Sequence, residues 1–182
     1  MSNRIPANTL CLQKQFPDIY KQLFSQSSIV TSAAGCFWFA GEYAVLHGGI
    51  GILQKVPMRG YVGITPLEQP EVIDLGGWEY VPSKQHFKPV DFNYWWQSVK
   101  GPFTDFIQAE LRAAFPDNPE KGLKFSYISE IPPSTGINAS AALAVSFATA
   151  FLVFTGELQP DTCKNWKKRK ASELLHDPLF DR

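Results

Sequence analysis

At 182 residues the chain is long enough to bury a core, and it reads as one domain with a short N-terminal appendage. Its 17 basic and 17 acidic residues cancel, which argues against a strongly electrostatic nucleic-acid binder, and 14% aromatic residues argue against a disordered chain. Three cysteines, Cys11, Cys36 and Cys163, are odd in number, far apart and without metal-ligand spacing, so they read as free thiols of a reducing, cytoplasmic compartment.

Residues 1–28 form the appendage. Leu10, Leu12, Phe16, Ile19, Tyr20 and Leu23 recur at roughly helical spacing, with Asn8 or Thr9 as cap. Pro17 divides the stretch into two short helices, expected to dock on the core. No charged start followed by an apolar stretch marks a secretory signal. From Ile29 the character changes. Ile29–Ala33 is a strand candidate, Ala34-Gly35 allows a bend, and Cys36–Phe39 is a second short strand. The segment Gly41–Gly49 turns, and strands are expected around Ile50–Leu53 and Arg59–Pro66. Residues 67–90 are rich in Pro, Gly and charge. Gly76-Gly77 there marks a turn, which predicts a hairpin between Glu71–Leu75 and Glu79–Val81.

Asn93–Phe115 carries an apolar stripe of helical period, with Gly101-Pro102 as the expected kink. Pro116–Pro119 is a loop, and Gly122–Ile131 alternates as a strand. Ala139–Phe154 is the longest apolar run. It is shorter than the roughly 20 residues that cross a bilayer, and it carries Ser140, Ser146 and Thr149, so it predicts a buried helix and no membrane span. Asp161–Leu175 is expected to be a further helix. Its Lys164, Lys167, Lys168, Arg169 and Lys170 read as a solvated face, not a nucleic-acid patch.

The chemistry gathers in Ile131–Phe154, IPPSTGINASAALAVSFATAFLVF. Pro132-Pro133 ends the preceding strand, and Ser134 to Ser140 are small or hydroxyl residues. The first amides of the helix that follows have no partner within it, and the helix dipole leaves that end partly positive. Small residues let an anion reach the backbone, so a phosphate-binding loop is one reading. A buried helix after a proline turn is the other.

The segment Ala33–Gly49, AAGCFWFAGEYAVLHGG, separates the two readings. With the loop it resembles the first and second motifs of the GHMP small-molecule kinases, the superfamily of galactokinase, homoserine kinase, mevalonate kinase and phosphomevalonate kinase. Gly35, Gly41, Glu42, Tyr43, Ala44, Val45 and Gly48 match the first motif. Pro132, Pro133, Gly136, Ile137, Ser140, Ala141 and Ala142 match the second, P-P-x-x-G-L-G-S-S-A-A. The wording GEYAVLHGG is closest to the mevalonate and phosphomevalonate branch, and the likeness covers roughly residues 29–175.

The resemblance implies an α+β fold, a mixed sheet with helices on one face, similar to the ribosomal protein S5 domain 2-like N-terminal domain of these kinases. It divides the chain into the extension 1–28 and an ATP-binding domain 29–182, with the family's C-terminal domain absent. It implies ATP and Mg²⁺ as cofactors. Pro133, Ser134, Thr135, Gly136, Ile137, Asn138, Ala139, Ser140 and Ala141 would wrap the phosphates. Ser140 and Glu173 would hold the metal, and Glu42 would act on the acceptor side, with Tyr43 and His47 near it. Asp181 falls near the family's base. Partners would be ATP and a small-molecule acceptor, neither nucleic acid nor membrane, and a homodimer could cover an exposed apolar face. Four positions depart from the pattern. Asn138 replaces a glycine, Ala139 a serine, Cys36 a lysine or arginine and Ala34 a proline. They support the alternative of a degenerate, non-catalytic kinase-fold domain that binds nucleotide or a protein. An unrelated α+β protein with coincidental loops is the third reading.

Overall fold

A computed structural model describes residues 12–90 and 93–160. Cys11, Cys163, the helix expected over 161–175 with its basic face, Glu173 and Asp181 lie outside the described residues. Helices α1 (Leu12–Gln15) and α2 (Pro17–Gln26) come first, followed by strands β1 (Ile29–Ala40), β2 (Ile52–Leu67), β3 (Val72–Val81) and β4 (His86–Val90). Helix α3 (Asn93–Ala114), strand β5 (Gly122–Ser129) and helix α4 (Ala139–Thr155) complete the order. The strands form one sheet in the order β1-β2-β5-β3-β4. All neighbours are antiparallel except β3 and β5, so the sheet is mixed.

Segments expected to be separate strands merge. β1 runs straight through Ala34-Gly35, with a register slip between Ala34 and Cys36 where a bend was expected. β2 runs through Pro57, which a central strand would reject. It is tolerated because β5 pairs with β2 only from Gly60 onward, leaving Pro57 beside one neighbour. The hairpin expected within residues 71–81 does not form. Those residues make the single strand β3, which bulges between Asp74 and Gly77 and turns at Pro82–Lys84 into β4. The reason lies in Gly77, where a Cβ would stand 2.5 Å from the Tyr127 ring on β5. Gly76, at φ +75°, supplies the bulge. The glycine pair therefore serves close strand packing, not a turn.

Each sheet face has its own apolar cluster. On one face Val62, Ile64, Leu123 and Tyr127 pack with Ile107 and Leu111 of α3 and with Ala150 and Phe151 of α4. On the other, Leu12 of α1 and Tyr20 and Leu23 of α2 pack with Ile128 and Phe87. Helices thus lie on both faces, not one, because the N-terminal pair covers the side that α3 and α4 leave open. Helix α4 rests very close to β2. A Cβ on Gly60 would be 3.0 Å from Leu143, and the buried Ser146 hydroxyl lies 2.8 Å from both Gly60 O and Ala142 O. Among the described residues no helix is long and apolar enough to cross a membrane.

Candidate functional site

The loop between β5 and α4 is rooted in the core and open at its apex. Glu130, Ile131 and Pro132 are buried, whereas Pro133, Ser134, Thr135 and Gly136 are exposed. Two hydroxyls brace the root. Ser129 Oγ donates to Ile131 O (2.8 Å) and Thr135 Oγ1 to Pro132 O (2.7 Å). Ser134, Gly136 and Asn138 have positive φ of 60°, 72° and 59°. Left-handed backbone at alternate positions is the material of concave amide arrays that hold anions. A Cβ on Gly136 would meet nothing within 4 Å, so the apex faces open space.

The far end of the loop is tied to β1. The Cys36 N–H donates to Ile137 O (3.2 Å). Gly35 makes this approach possible, because a Cβ there would lie 2.8 Å from the same carbonyl. Asn138 occupies the N-cap position of α4, but its side chain makes no capping bond. Its amide instead donates toward Cys36 O (3.3 Å) and Cys36 Sγ (3.1 Å). Two of the departures from the family pattern are thus in contact with each other. The Asn138 side chain is turned toward β1, and the asparagine holds the left-handed backbone that glycine would take.

This leaves the start of α4 uncapped. The first intrahelical bond runs from Ala142 N–H to Asn138 O (3.0 Å), so the N–H groups of Ala139, Ser140 and Ala141 precede it. Ala139 and Ser140 stand on a cavity of about 360 Å³ lined by the whole stretch Pro132–Ser140. That volume falls within the roughly 300–1,000 Å³ of small-molecule sites. Glu79, Ser129 and Leu143 complete the lining. Glu79 reaches the cavity because it stands in register with Ser129 across the parallel β3–β5 pair, and it is ion-paired with Lys88 at 3.5 Å. No sequence signal pointed to Glu79, since its position follows from strand register.

Glu42 lies elsewhere. It is exposed in the β1–β2 connection and is not among the residues lining this cavity. The connection closes as a compact turn through Val45 N–H to Gly41 O (3.2 Å) and Gly49 N–H to Ala44 O (2.8 Å). Gly41, at φ +80°, admits no side chain, because a Cβ would be 2.2 Å from Ile50 O. Tyr43 and His47 are exposed on the same turn. The first motif therefore meets the second through Gly35 and Cys36, not through Glu42. Among the described residues no three His, Cys, Asp or Glu side chains gather as a metal site. Glu173 lies outside the described residues. The donors present suit a phosphate group, and a metal held largely by phosphate and water oxygens with one or two protein groups is compatible with Ser140 and Glu79.

No protein-family model matches the chain. In sequence it is similar to the mevalonate kinase of Schizosaccharomyces pombe, 20% identical over 173 residues, covering 81% of this chain and 43% of that protein. Among solved structures it is similar to the Methanococcus jannaschii mevalonate kinase, with a TM-score of 0.44 and 18% identity over 74% of this chain and 43% of that one. It is also similar to the L. major mevalonate kinase in complex with R-mevalonate, with a TM-score of 0.43 and 18% identity over 74% of this chain and 38% of that one. The chain spans less than half the length of these relatives, and its likeness is to proteins named as mevalonate kinases.

Proposed function

We propose that the chain carries the ATP-binding portion of a GHMP-type kinase, with the ribosomal protein S5 domain 2-like fold over residues 29–182. The reaction is transfer of the ATP γ-phosphoryl group to the hydroxyl or phosphate of a small acceptor of the mevalonate or phosphomevalonate kind. One observation carries the reading. The N-terminus of α4 is uncapped although an asparagine stands at its cap, and it opens on a cavity walled by the loop.

Phosphoryl transfer depends mainly on positioning and on charge stabilisation, which backbone amides and hydroxyls can supply. In this reading the N–H groups of Gly136 to Ala141 hold phosphate oxygens, and the open apex at Gly136 lets them approach. The Ser140 hydroxyl, exposed on the first turn of α4, and the Glu79 carboxylate would hold Mg²⁺, which when bound neutralises charge on the phosphates. Glu42 would contact the acceptor, and Glu173 would add a metal ligand.

Isothermal titration of the full chain with Mg-ATP is expected to give saturable binding below millimolar nucleotide. Absence of heat at millimolar Mg-ATP overturns the reading. Coupled ADP release with mevalonate or phosphomevalonate then tests transfer. A second reading, nucleotide binding without transfer, is favoured by the Cys36–Asn138 contact, which puts a thiol where the family pattern has a cation. Saturable binding with no ADP release for any acceptor would select it.

A further inference from the structure

We propose that Tyr20, on the N-terminal helix α2, positions the phosphate loop from the opposite face of the sheet; this rests on the nucleotide-binding reading. The link is Glu130, the first residue of the loop. Its side chain is buried, and each carboxylate oxygen is used. Oε1 accepts the Tyr20 hydroxyl at 2.6 Å and Oε2 accepts the Arg59 N–H at 2.8 Å. The Glu130 N–H donates to Arg59 O at 2.9 Å, so residue 130 is held at three points. Ile131, which follows, is fully buried, and Pro132 restricts the next step of backbone.

A buried carboxylate tolerates its position only while its oxygens are hydrogen-bonded. Remove the Tyr20 hydroxyl and Oε1 loses its donor, which favours a shift of the Glu130 carboxylate and of the backbone that roots the loop. The same cluster reaches the loop's far end by a second route. The Arg59 guanidinium donates to Ser32 Oγ (2.9 Å) and Ser32 O (2.7 Å) on β1, the strand whose Cys36 holds Ile137 and Asn138. The root and the far end of the loop are therefore both tied to contacts that include α2 and β1, while its apex stays open. The Tyr20 ring itself is held edge-on by Tyr61 and Phe87, at centroid distances of 5.5 Å and 6.0 Å. Tyr20→Phe keeps that packing and deletes the one hydroxyl.

The test compares Tyr20→Phe with Leu23→Ala, a buried position on the same helix that leaves the hydroxyl intact. Tyr20→Phe is expected to weaken Mg-ATP binding about tenfold by titration, the effect of roughly one charge-assisted hydrogen bond. It is also expected to speed amide hydrogen exchange across Ser134 to Ala139. Leu23→Ala, which costs at least as much stability, is expected to leave affinity within about twofold and loop exchange unchanged. Unchanged loop exchange in Tyr20→Phe, or equal effects from both variants, overturns the proposal. If the wild-type chain binds no Mg-ATP, the nucleotide reading falls, and the exchange data alone still decide whether Tyr20 orders the loop.

Discussion

Asn138 shows how one side chain can satisfy a demand made by backbone. The loop needs left-handed geometry at that position, and only glycine and, less easily, asparagine or aspartate adopt it without large strain. The side chain finds its own partner in Cys36, which keeps it away from the helix amides. Asn138→Gly is expected to leave folding stability within about 0.5 kcal/mol, because the backbone relaxes as the contact to Cys36 is lost. Asn138→Val is expected to lose about 1–2 kcal/mol, since a branched Cβ resists the left-handed region. Urea denaturation of both variants checks the pair. The contact itself was invisible in the sequence, where Cys36 and Asn138 read as two unrelated departures 102 residues apart. By contrast Pro132, Pro133 and Gly136 announced the loop locally, because their conformational limits act on their own backbone.

Elements were legible where the signal was local and lost where it depended on a neighbour. Helix α4 starts and ends at two left-handed residues, Asn138 and Gly156, and the sequence marks both ends with residues suited to that geometry. The strand expected around Arg59–Pro66 is the second half of β2. The glycine pair in β3 misled, because its role is set by Tyr127 on a strand far away in sequence. Glu79 was missed in the site for the same reason. α4 carries no charged residue, so its seating depends on a few polar contacts as well as on apolar packing. Ser146 donates its hydroxyl toward Gly60 O, and its own carbonyl accepts from Thr31 Oγ1, which locks the helix to β1 and β2. Ser146→Ala is expected to cost about 1–2 kcal/mol by leaving a buried carbonyl with one partner fewer, read as a lower urea midpoint with an unchanged slope.

At the scale of the molecule, the β1–β2 hairpin carries several of the most exposed apolar residues among those described. Phe39, Tyr43, Leu46, Ile50 and Ile52 are 60–87% exposed along the far part of the β1–β2 hairpin. Contiguous exposed apolar residues lower solubility. Replacing Phe39 and Ile50 together by lysine is expected to raise the soluble fraction at fixed total concentration, measured by absorbance after centrifugation, without lowering the thermal midpoint. The strand order has a different consequence, one of time. β5 sits at the centre of the sheet, yet it comes after every strand it joins. The β1–β2 and β3–β4 hairpins can pair as they emerge, but nothing connects them until β5 enters between them. The bond from Tyr20 to Glu130, 110 residues apart, closes only after β5 has been made, so α1 and α2 wait for that partner while all five strands are synthesised.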